Sequence, residues 1–173
     1  MLKPRLLVSV GIILAAAASR VIPHPYNFTP VAAIALFGGA RFGDKRLSFV
    51  VPLVSMLLSD LVIGLHSGMP IVYGCFALTV CVGFWLRETN SVGRIAGAAL
   101  ASSVLFFVVT NFAVCARGSL YAKNIGGLVT SYVAALPFFR NTVLGDLFFT
   151  AVLFGGFAWA ERRFPAFSAA QQS

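Results

Sequence analysis

Charge is scarce in this sequence, and negative charge most of all: Asp and Glu together number 5 in 173 residues, beside 13 Lys and Arg and 2 His. Only 10% of residues are charged, against roughly 25% in an ordinary soluble domain. So little charge excludes a water-solvated surface over most of the fold. The 3 cysteines, Cys75, Cys81 and Cys115, have no CxxC or Cys/His metal spacing, and an odd number cannot all pair within the chain. Walker A loops, GxSxG elbows and HExxH helices are also missing, so no ATPase, hydrolase or zinc protease is legible.

What is present is hydrophobic: 59% of the chain. A spanning helix needs about 20 mainly apolar residues. The sequence therefore reads as all-α, a polytopic bundle of six transmembrane helices in one domain over residues 1–165, with a weakly ordered tail at 166–173. The first run, Leu6 to Ile22, also fits a signal peptide with a small-residue cleavage site. It is read as helix one because the remaining chain is itself apolar enough for a membrane. Prolines 23, 25 and 30 break the chain in loop one. Val31 to Ala40 makes a short second helix, tilted or only partly spanning. Leu47 to Leu65, Ile71 to Leu86 and Ile95 to Cys115 make helices three to five. Residues 116–140 read as a long connection folded back on the bundle, with 126–139 open between helix, re-entrant segment and loop. Asn141 to Ala160 makes helix six.

The net charge of +8 does not imply nucleic acid, because the basic residues sit in short clusters between apolar runs. One set of alternate loops holds Lys3, Arg5, Arg41, Lys45, Arg46, Arg87, Arg94, Arg162 and Arg163; the other holds Arg20, Arg117, Lys123 and Arg140. The excess of basic residues in the first set predicts both termini on the cytoplasmic side of a bacterial inner membrane, with loops one, three and five outward.

On that topology the polar residues inside apolar runs gather at one depth. Asp60 and Asn111 fall late in outward-running helices, and Tyr73, Cys75, Asn141 and Asp146 fall early in inward-running ones. Such clustering is expected of a cavity open to the outside. An intramembrane acid is costly unless it faces water or a partner, so Asp60 and Asp146 are binding candidates, each with an alternative as a structural acid hydrogen-bonded to loop amides or capping a helix. Arg140 is a candidate partner for Asp146. Asn111 also fits a plain interhelical hydrogen bond. Cys75 fits either a small buried hydrophobe or a soft sulfur ligand for a metal within a bound cofactor, whereas Cys81 reads as packing. His24 and His66 read as loop residues. Tyr26, Phe28, Tyr73, Tyr121, Phe138 and Phe139 fall at the outward interface as anchors or as pocket walls for a flat ligand. Loop one, with Tyr26 and Asn27, and loop five would act as lids.

The stretches Arg20 to Ala40 (RVIPHPYNFTPVAAIALFGGA), Leu58 to Leu61 (LSDL), Thr110 to Phe112 (TNF) and Ala135 to Leu147 (ALPFFRNTVLGDL) resemble a bacterial membrane-protein family of unknown function. That family in turn resembles the substrate-binding S components of energy-coupling factor vitamin importers, and among them the solitary cobalamin S component. The resemblance implies six helices, an outward pocket roofed by loops one, three and five, and uptake of a vitamin-like molecule. Cobalamin would be the transported ligand, with Cys75 on its cobalt, and no catalytic cofactor would be needed. It also implies a coupling face of small residues on helix one, here Gly11, Ala15 and Ser19, for an energy-coupling module, unless the protein works alone. Beside this stand two other readings, a membrane-embedded enzyme using Asp60 and Asp146 as an acid/base pair, and a ligand-free structural subunit.

Overall fold

The structure, a computed structural model, describes residues 25–163 together with Leu7, Val10, Gly11, Leu14, Ala15 and Ala18, all six of which are helical. Ser19, Arg20, His24 and the tail at 166–173 lie outside the described residues. Among the described residues there are five continuous helices and no strand: α1 (Val31–Arg41), α2 (Lys45–Ile63), α3 (Met69–Phe84), α4 (Val92–Arg117) and α5 (Ile125–Arg163).

Local chemistry sets most of the boundaries. The Asp44 side chain accepts from the Arg46 amide and caps α2. Gly64, at φ 120°, ends it. Pro70 sits in the first turn of α3, where its missing N–H is harmless. Asn124 accepts from the Gly127 amide and opens α5.

Two helices depart from the expected layout. The connection assigned to residues 116–140 is short: α5 begins at Ile125 and continues through Pro137 to Arg163, 39 residues without a break. Proline removes one helical donor, but a long apolar helix keeps its remaining bonds because leaving them unmade in lipid is costlier. Helix α1 is the reverse case. Its 11 residues rise about 16 Å, half the thickness of a bilayer core, and everything from Val31 to Ala40 is buried. It is a half-length helix at the centre of the bundle.

The packing around α1 explains its composition. A Cβ on Gly39 would run into the Val80 carbonyl and the Cα of Gly83, and one on Gly83 would meet the Leu36 carbonyl, so α1 and α3 cross backbone to backbone. On the other side Phe37 packs edge-on against Phe154 and Phe157 of α5. Arg87 closes one end of α1, donating to the carbonyls of Gly39 and Gly43 while lying over the Phe84 ring. Val10 of the first helical segment packs against the same core.

Helices α2, α4 and α5 are long and apolar enough to cross a membrane; α1 and α3 are shorter but also apolar. The distribution of polarity is inverted relative to a water-soluble bundle. Val50, Val54, Leu57, Leu58, Leu61, Val62 and Leu65 form an exposed stripe on and just beyond α2, as do Leu100, Val104, Val108 and Phe112 on α4. Ser48, Ser55, Ser59, Asp60, Ser102, Ser103, Thr142, Asp146 and Thr150 are buried. Two exposed tryptophans, Trp85 and Trp159, lie near the basic end that holds Arg41, Arg87, Arg162 and Arg163, the place aromatic belts occupy in membrane proteins.

Candidate binding site beneath loop one

At the end opposite the basic cluster, residues 25–30 fold over α5 before entering α1. Their path is fixed by three contacts. Asn141 donates from Nδ2 to the Tyr26 carbonyl at 3.0 Å. The Phe28 ring rests on Phe148 and Phe149, with centroids 5.9 and 5.5 Å apart. The backbone of Phe28 and Thr29 lies directly on Gly145, so close that a Cβ there would sit 3.2 Å from the Phe28 Cα and the Thr29 nitrogen. Between them Asn27 adopts φ 62°, a left-handed conformation that asparagine tolerates better than most residues.

Two adjoining chambers lie beneath this segment. The inner one, about 50 Å³, is lined by Asn27, Thr29, Ala32, Phe76, Phe106, Thr142 and Asp146. The other, about 120 Å³, is lined by Asn27, Phe106, Phe107, Thr110, Asn111, Ala135, Phe138, Phe139 and Thr142. Asn27, Phe106 and Thr142 belong to both and form the boundary between them. Tyr26 is 81% exposed and lies edge-on to Phe138, which lines the larger chamber.

Asp146 is 3% exposed and accepts a 2.6 Å hydrogen bond from the Ser103 hydroxyl of α4. Arg140, the partner expected from the sequence, is exposed to the outside of the bundle. A buried carboxyl of this kind is costly to hold in an apolar bundle without compensation. The uncapped N-terminus of α1 opens on the same chamber through Ala32. Its partial positive charge, about half a unit, offsets part of a carboxylate's charge there.

The sequence candidates divide into three groups. Asp146, Asn111 and Asn27 line the chambers, while Asn141 and Tyr26 tie down the segment that roofs them. Asp60 and Tyr73 meet each other instead: the Tyr73 hydroxyl donates to Asp60 Oδ2 at 2.9 Å, and neither lines the two chambers. Cys75 is 1% exposed and also lines neither. Asp60 stands about as far along its helix from the basic end as Asp146 does along its own. Lys45 to Asp60 and Asp146 to Arg163 are roughly 22 and 25 Å of helix at 1.5 Å per residue.

Ser103, Phe106, Thr142 and Thr29 belong to the site but are not singled out by sequence. Serine, threonine and phenylalanine are ordinary in apolar helices, and the one available signal is the pair Ser102-Ser103 inside an otherwise apolar run. Of the proposed coupling face, Gly11 and Ala15 are helical and exposed, and Ser19 is outside the described residues. Among the described residues no three of His, Cys, Asp and Glu converge on a site that could hold a metal ion.

Neither the curated proteins nor the solved structures contain a match to this chain. A family model covering residues 1–167 does match, and by it the chain belongs to DUF6580, a family of unknown function.

Proposed function

We propose that this protein is a multi-pass binding and uptake protein of the bacterial inner membrane that captures a small molecule beneath loop one. The observation that carries the reading is the pair of chambers around Asp146 and Asn111, placed at the end of the bundle away from the basic cluster. Basic residues mark the cytoplasmic side, so a site at the opposite end faces outward. In this reading the helical residues between Leu7 and Ala18 belong to a first of six spanning helices, with both termini cytoplasmic, the arrangement of the energy-coupling factor S components. A coupling module would then dock along Gly11, Ala15 and Ser19, or the protein would act alone.

Cobalamin is the specific ligand that the S-component likeness implies, with the Cys75 sulfur on cobalt. A corrinoid is many times larger than either chamber. Its capture would require loop one to lift, α4 and α5 to part, and the buried Cys75 to be uncovered. A small solute requires none of these.

Mass spectrometry of ligand released from the purified protein tests the proposal. We expect an organic solute that is retained by the wild type and lost in Asp146→Asn protein of unchanged helicity. A corrin absorbance abolished by Cys75→Ala would identify the solute as cobalamin. Uptake assays in which cells with and without the protein accumulate every candidate solute equally, from a protein that releases none, would overturn the reading.

A further inference from the structure

Resting on the site assigned above, we infer that its solute is a small organic ammonium ion, with the charged head in the 50 Å³ chamber at Asp146 and the apolar body in the 120 Å³ chamber. The composition of the walls carries this. Among the described residues, Asp146 is the one ionisable side chain lining either chamber, and no Lys, Arg or His lines them. The hydrogen bond from Ser103 occupies Oδ2, and a carboxylate can accept at both of its oxygens. A carboxylate excluded from water is stabilised by an opposite charge brought to it, and a ligand that carries that charge is selected over one that does not. The half-unit of positive charge at the start of α1 is smaller than one carboxylate charge, so an ionised Asp146 is left with a net negative charge for a cation to balance.

The neighbouring walls fit the same class. Phe106 stands at the junction of the chambers, backed by Phe76 with ring centroids 5.4 Å apart. Phe107 and Phe139, with centroids 4.4 Å apart, and Phe138 enclose the outer chamber. Aromatic faces attract ammonium groups, more strongly when desolvated, and they accept an alkyl or aryl body by burial. Thr29, Thr142 and Asn27 supply oxygen acceptors for the remaining N–H groups of the head. The chamber volumes restrict the ligand to the size of a short alkylamine or arylalkylamine.

The test compares three molecules of nearly one shape, benzylamine, benzyl alcohol and benzoate, by calorimetry on the protein in lipid nanodiscs at neutral pH. The amine is expected to bind about tenfold more tightly than the alcohol, or more, and benzoate not at all. Asp146→Asn should bring the amine down to the level of the alcohol. Because loss of Asp146 can disturb folding, Thr142→Val provides a second variant. It is close to isosteric, and should weaken the amine several-fold and the alcohol less, because an ammonium head brings three donors to the chamber and a hydroxyl one. Equal binding of amine and alcohol, preference for benzoate, or binding of none of the three would overturn the ammonium assignment. The site itself is judged separately: a retained neutral or anionic solute that is lost with Asp146→Asn leaves the uptake reading standing, whereas a protein that retains no solute and binds none loses both.

Discussion

Asn27 holds a left-handed backbone at φ 62° in the segment that roofs the chambers, and this makes the roof sensitive to a single Cβ. Asn27→Gly should keep or slightly raise thermal stability, since glycine enters that region without steric cost. Asn27→Val should lower stability by about 1–2 kcal/mol, the cost of a left-handed conformation for a residue with a full side chain, as read from thermal melts followed by circular dichroism. Ser103 makes a second residue-scale case. Its hydroxyl is the donor on Asp146, and removing a donor from a buried acceptor costs about 1–3 kcal/mol. Ser103→Ala should therefore destabilise by that amount, and Ser103→Thr should restore most of it. At this scale the sequence is informative about acids and uninformative about their partners. Asp60 and Asp146 stand out because acids inside apolar runs are rare. Ser103 and Thr142 do not stand out, since hydroxyls satisfy themselves on their own helix, as Thr142 does on the Phe138 carbonyl. Cys75 stands out in the sequence by its place in the apolar run, its sulfur chemistry and the resemblance, and it is buried without lining either chamber.

Helix α1 is the element on which the site depends, because its half length leaves room above it for residues 25–30 and the chambers they cover. The close crossing at Gly39 and Gly83 anchors it. Gly39→Ala or Gly83→Ala must push two backbones apart, and overpacking of this kind costs about 1–3 kcal/mol. The two changes act on one contact, so the double variant should cost less than the sum of the singles. Gly156→Ala on α5 meets nothing within 4 Å and should instead stabilise by about 0.5–1 kcal/mol through helix propensity. Chemical denaturation in a mild detergent reads all four. The brevity of α1 was legible, since Pro30 and Gly38-Gly39 bracket its apolar run. The length of α5 was not. Gly126, Gly127 and Pro137 read as punctuation in water, but in an apolar bundle Asn124 starts the helix ahead of the glycines and the chain carries it through the proline.

For the whole molecule, apolar stripes outside and hydroxyls and acids inside define a body suited to lipid, and the unequal charge of its ends is the feature from which an orientation in a membrane is predicted. Arg41, Lys45, Arg46, Arg87, Arg162 and Arg163 gather at one end, with Glu88 exposed among them; Lys123 and Tyr26 are exposed at the other. Orientation can thus be read with single cysteines, introduced after Cys75, Cys81 and Cys115 are replaced by alanine. A membrane-impermeant maleimide applied to intact spheroplasts should label Lys123→Cys, and should label Glu88→Cys only after permeabilisation. The reverse pattern would turn the chambers toward the cytoplasm, and a solute at Asp146 would then be one leaving the cell or one handled inside it. Labelling of both positions in intact spheroplasts would mean that the two loops share a side. The path of α4, whose 26 residues rise about 39 Å between those loops, would then not be a crossing. The labelling result therefore decides whether Asp146 meets solutes from outside before any ligand has been named.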